Sequence, residues 1–259
     1  MKLNRQYRRF ALASLILVVV AALPALAITT VQVKVKCPIC ATENDFLEYA
    51  SWGSYIYQYP SKFQLVFWPY TDSATVYSCK KCYLSLFMWD FQKFPKDKIE
   101  NTKNLLEGVK LSGEYKSYTD IPVSEKLQIA EKIYRGMNQD DEFWAHFYRV
   151  LGYHLAQEKR PEPAREARLH ALEITQRMLG DPANDGRKKE LLFVAASMNH
   201  FTGDDANALH RLKAASALKY HDAKGDEERS KDFDEYLSKL IKEFIPAIEQ
   251  NKVPDGFEN

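Results

Sequence analysis

The chain has 259 residues, 46% of them hydrophobic and 27% charged, with 36 Lys+Arg against 35 Asp+Glu. That is long enough to bury a substantial core, and the composition is that of a globular protein. Balanced charge argues against nucleic acid as a partner, because reading phosphates normally takes a basic surplus.

The first segment runs basic, apolar, small. MKLNRQYRRF carries Lys2, Arg5, Arg8 and Arg9, an apolar run from Phe10 to Leu23 follows, and Ala25 and Ala27 close it. This order predicts a signal peptide over residues 1–27 and an exported protein, periplasmic or extracellular. The alternative is an uncleaved N-terminal anchor, although a spanning helix needs about 20 apolar residues. Any membrane contact is expected through this segment alone.

Residues 28–118 read as a cysteine module. Val31, Val33 and Val35 alternate with Gln32, Lys34 and Lys36, a half-buried strand that leads into Cys37-Pro38-Ile39-Cys40. The following stretch, TENDFLEYASW, has the look of a helix start. LVFW at 65–68 and ATVYS at 74–78 read as strands, the second leading into Cys79-Lys80-Lys81-Cys82. These are the four cysteines of the chain, spaced C-x2-C-x38-C-x2-C. Two CxxC turns on neighbouring strands can set four sulfurs in a tetrahedron around one structural Zn²⁺, with Lys36, Lys80 and Lys81 offsetting the excess negative charge. Two other readings stay open at this point. Export favours oxidation, so the pairs could form disulfides in any of three connectivities. Cys37 and Cys40 could also serve a thiol–disulfide oxidoreductase, although that chemistry usually sits at a helix N-terminus in a βαβ frame.

Aromatic residues crowd this module, from Trp52, Tyr55, Tyr57 and Tyr59 through Phe63, Trp68 and Tyr77 to Phe91 and Phe94. They are expected to form its core; a binding face is the sharper alternative.

CPIC followed by Phe46, together with WPYTDSATVYSCKKCYLSLFMWDF, resembles the bacterial family called domain of unknown function 2225 over about residues 31–115. That family pairs a CPxC turn with a later CPxCGYA turn and commonly continues into helical repeats. The resemblance places Cys37, Cys40, Cys79 and Cys82 on its four cysteines and implies a zinc-ribbon-like fold, with no settled activity. Where the family has Gly after each second cysteine this chain has Ala41 and Tyr83, and Lys80 replaces a Pro.

From Ile121 the hydrophobic period becomes about 3.6. Helices are expected over SEKLQIAEKIY, DDEFWAHFYRVLGYHLAQ, AREARLHALEITQRML, RKKELLFVAASMNHF, ANALHRLKAASAL and about 227–251, with Asp204 or Asp205 as a cap and Pro246 kinking the last helix or marking its final turn. Gly152, Ala164 and Ala171 recur as Ala196, Ala208 and Ala215, each 44 residues later. This resembles tetratricopeptide repeats, whose usual period is 34. Stacked helix pairs of that kind bind proteins or peptides.

None of the six histidines sits in a metal or nucleophile–base motif, and no phosphate-binding Gly-rich loop is present. His146 and His154 fall on one helix face. Asp140-Asp141-Glu142 and Asp226-Glu227-Glu228 read as helix starts. The expectation is an α+β protein, more a binding protein than an enzyme. It has a zinc-ribbon-like module at 28–118, a tetratricopeptide-like all-α half at 119–251 and a flexible tail at 252–259. Its helical surface would take a protein or peptide partner within an envelope assembly.

Overall fold

The computed structural model describes residues 29–51 and 60–253. The expected signal peptide, Trp52, the tyrosine alternation at 55–59 and most of the expected tail lie outside the described residues. Among the described residues the architecture is mixed α/β, with three two-stranded antiparallel sheets followed by helices.

Strand β1 (Thr29–Lys36) pairs with β2 (Glu43–Ser51), setting Val35 opposite Asn44 and Val33 opposite Phe46. The helix start expected after Cys40 is therefore a strand. The reason is visible in burial: Asn44, Phe46 and Tyr49 face inward while Glu43, Asp45 and Glu48 face water, close to a period of two. β3 (Pro60–Ser61) pairs with β4 (Val66–Phe67), so the strand expected over 65–68 is shorter, and β5 (Val76–Ser78) pairs with β6 (Ser85–Phe87). Helices α1 (Met88–Phe91) and α2 (Ile99–Leu106) close this half.

The module's aromatics build a core. Phe46 stacks on Tyr77 at 4.0 Å and meets Phe91 and Tyr118 edge-on at 5.2 and 4.8 Å. The polar tips of these rings are satisfied. Tyr77 donates to the Leu47 carbonyl at 3.0 Å, and Tyr118 accepts from the Leu47 amide and donates to the Ala74 carbonyl.

Six helices follow: α3 (Val123–Tyr134), α4 (Asp141–Gln157), α5 (Pro161–Gly180), α6 (Lys188–Phe201), α7 (Asp205–Ser216) and α8 (Glu227–Glu249). Asp140, Asp204 and Asp226 cap α4, α7 and α8 by accepting backbone N–H bonds at 2.8 to 3.1 Å. Pro246 lies in the last turn of α8. The small residues of the 44-residue pattern are all buried, with Ala164, Ala171, Ala196, Ala208 and Ala215 at 0% exposure. A Cβ on Gly152 would come within 2.9 Å of Arg168 Cγ and 3.3 Å of the Ala164 carbonyl oxygen, so glycine is what lets α4 and α5 approach.

One hydrophobic core runs through both halves across residue 118. Residues 63–65 lie on the helices: Phe63 stacks on Phe244 at 4.2 Å, Arg149 donates to the Gln64 carbonyl at 3.0 Å, and Arg168 donates to the Gln64 side chain at 3.2 Å. Lys126 and Tyr134 on α3 reach back to the Ser73 carbonyl and the Asp90 carboxylate. The helix face that carries Arg149, Arg168, Phe193 and Phe244 is thus covered by the chain's own segment. At the far end a buried ion pair, Lys189 to Asp234 at 2.7 Å, ties α6 to α8.

Candidate metal centre

Each cysteine pair sits at the tip of a hairpin, and the two tips repeat the same hydrogen bonds. In the first, the Cys37 amide donates to the Thr42 carbonyl and the Ala41 amide to the Cys37 carbonyl, both at 2.9 Å. In the second, the Cys79 amide donates to the Leu84 carbonyl at 2.9 Å and the Tyr83 amide to the Cys79 carbonyl at 3.0 Å. Closing such a turn requires a left-handed residue after the second cysteine. Ala41 and Tyr83 supply it, at φ 56° and 59°. These are the two positions where the family that the motif resembles carries glycine. The turn survives without glycine at a conformational cost of about 1–2 kcal/mol per site.

The fold brings all four sequence-assigned cysteines together. Their Sγ atoms lie within 4.8 Å of one another, with Cys37–Cys82 and Cys40–Cys79 both at 3.6 Å. The short contacts run between the hairpins, and all four thiols are free. A separation of 3.6 Å is far beyond a disulfide bond of ~2.05 Å. It is close to the edge of a sulfur tetrahedron around a metal with bonds of ~2.3 Å, about 3.8 Å. Cys37 and Cys79 are buried, and Cys40 and Cys82 half-buried. Among the described residues this is the one group of His, Cys, Asp or Glu side chains with metal-ligand proximity.

Hydrogen bonds from Cys37 and Cys82 hold Cys79 far below the ordinary thiol range. The contact with Cys79 pushes Cys37 up to about 12, and contacts with Cys37 and Cys79 push Cys82 upward as well. A divalent cation held by the four sulfurs would displace the thiol protons and let every sulfur ionise.

Asn44 is the residue that sequence reading missed. It is 2% exposed, and its Nδ2 donates to the Thr42 carbonyl at 2.9 Å within the first turn. Its Oδ1 accepts the Lys80 amide at 2.9 Å from the second turn. One side chain therefore sets the spacing of two hairpins that share no strand pairing. An Asn just past a CxxC turn carries that signal, since Asx side chains readily bond nearby backbone. Asn44→Ala is expected to weaken metal affinity by about 10- to 100-fold while the helical circular-dichroism signal is retained, as read by competition with a chromophoric chelator.

His146 and His154 do share a face, and both meet Tyr70. The His146 ring packs on the Tyr70 ring at 4.2 Å, and His154 Nε2 lies 2.8 Å from the Tyr70 carbonyl. Burial holds both neutral, pushing His146 down to about 3 and His154 to about 4. They are packing residues of the junction between the two halves.

Among the described residues no helix is long and apolar enough to cross a membrane. No family model matches this chain, and no curated protein and no solved structure matches it either. The likeness to the domain-of-unknown-function-2225 family rests on its motif residues alone.

Proposed function

We propose that Cys37, Cys40, Cys79 and Cys82 hold one structural Zn²⁺, and that the chain is an exported, non-enzymatic binding protein. The observation that carries the metal assignment is the meeting of four sulfurs from two hairpin tips within 4.8 Å of one another, with two pairs across the tips at 3.6 Å. Zinc suits an all-thiolate site that no open ligand position makes catalytic. The module then reads as zinc-ribbon-like. The paired helices with buried small residues read as tetratricopeptide-like, serving a protein or peptide partner in an envelope assembly. The N-terminal sequence supports export.

An oxidoreductase built on Cys37 and Cys40 finds less support. Cys37 is 2% exposed, sits on a hairpin tip, and has the Cys82 sulfur of the other hairpin at 3.6 Å.

The test is zinc content and free-thiol count on mature protein purified natively without added metal. The expected result is about one zinc per chain, released only when the thiols are modified. No zinc and no free thiols would replace the metal centre with disulfides, and a Cys37–Cys40 bond cycling under mild reductant would restore the redox enzyme.

A further inference from the structure

Two cavities open beside one another, the outer between the starts of α4 and α6, the loop before α8 and the start of α8, the inner between α4, α5, α6 and residues 65–70 and 87–90. The outer basin is about 1150 Å³ and the inner one about 510 Å³. Glu142, Arg187, Glu190 and Phe233 line both, so the two form one groove. We infer that this groove binds a peptide segment of another protein that carries apolar side chains flanked by basic ones. The inference rests on the peptide-binding reading above and names the partner's chemistry.

The inner cavity is walled by Tyr70, Phe87, Trp89, Phe143 and Phe147. Its size is that of a small-ligand pocket, with room for one or two large apolar side chains. Its cations are already engaged. Arg149 spends its guanidinium on the Gln64, Leu65 and Ala145 carbonyls and on His146 Nδ1. Arg187 is held between Glu142 at 2.8 Å and Glu190 at 3.0 Å. Asp90, also on this wall, accepts from Tyr134 and has its carboxyl pushed up by burial. An anionic guest would meet the Asp90, Glu142 and Glu190 carboxylates, and Arg149, which has no carboxylate partner, already turns its donors to backbone carbonyls and His146.

The outer basin has the opposite need. Six acids against three bases line it. Asp222 is taken by Arg229 at 3.3 Å and Asp226 by its helix cap. Glu228 and Asp232 remain, one turn apart on the exposed side of α8, and neither has an ion-pair partner among the described residues. Their floor is aromatic, formed by Tyr220, Phe233 and Tyr236. Carboxylates over an aromatic floor suit Lys and Arg side chains, whose stems pack on rings while their charges pair at the rim.

The test uses the full mature chain and three fluorescein-labelled ten-residue peptides: alternating Lys–Leu, Glu–Leu and Lys–Ser, followed by anisotropy. Saturable binding is expected for Lys–Leu alone. The exposed double reversal Glu228→Lys with Asp232→Lys should weaken it at least about tenfold. Glu162→Lys with Glu166→Lys makes the same charge change at the same spacing on exposed α5 positions outside both cavities, and should change affinity less than about twofold. Equal losses in the two double variants, or Glu–Leu binding insensitive to both, would overturn the groove and leave peptide binding elsewhere on the surface standing. Failure of all three peptides to bind would overturn the groove and the peptide-binding reading together.

Discussion

Cys79→Ser is expected to abolish metal retention and to lower the unfolding midpoint by roughly 10–20 °C, from a loss on the order of 5 kcal/mol. Cys79 is fully buried, and its sulfur lies 3.6 Å from that of Cys40 on the opposite hairpin. Its removal leaves three thiols around the vacated position. The β1–β2 and β5–β6 hairpins belong to separate sheets. What holds their tips together is the Asn44 bridge, an exposed Lys80–Asp45 ion pair at 3.9 Å and, on the proposed reading, the metal. A structural zinc can supply 10 kcal/mol or more to a peptide that has no other core. Here the Phe46–Tyr77–Tyr118 cluster and the contacts to α3 persist without it, so a smaller loss is expected. Melting curves with and without chelator read the result. Chelator should lower the wild-type midpoint to that of Cys79→Ser and leave the variant unmoved. A variant that keeps one zinc per chain, or a wild type indifferent to chelator, would remove the structural role assigned to the site.

Much of this arrangement is local and therefore readable in sequence. The CxxC turns, the strands leading into them and the Asp caps at 140, 204 and 226 depend on residues within a few positions of one another. The buried small residues at 164, 171, 196, 208 and 215 follow from helical period. β2 is less legible, because the sequence of ENDFLEY admits both periods and pairing with β1 decides between them. The course of residues 63–65 across the helices is set by Arg149, Arg168 and Phe244, partners about 80 to 180 positions away in sequence. No local pattern announces such partners. The same holds for the groove, whose two cavities gather residues from Leu65 to Tyr236. Asn44 is intermediate: its bond to Thr42 is local, while its bond to Lys80 depends on the two hairpins meeting.

Lys126 makes stability depend on pH in a window where most globular proteins are level. Its side chain is fully buried on α3 and donates to the Ser73 carbonyl at 2.6 Å and the Tyr118 carbonyl at 3.2 Å. A neutral amine has two N–H bonds to give, which matches those two acceptors. Burial pushes the amine down to about 7, against partial support for the charge from Asp72 and Glu158. Between pH 7 and 10.5 the unfolded chain then holds a proton that the folded chain has released. Stability therefore rises with pH through that window, by up to about 1.4 kcal/mol per unit, and the gain is lost as pH falls through 7. Lys126→Met removes the titration and leaves the two carbonyls unpaired. It should match or exceed the wild type near pH 6.5 and fall behind by roughly 3 kcal/mol at pH 9.5. Urea unfolding of both proteins with metal bound reads the difference, in which the thiolate titrations cancel. Parallel stability curves would mean that Lys126 stays charged inside the fold and that Asp72 and Glu158 outweigh its burial.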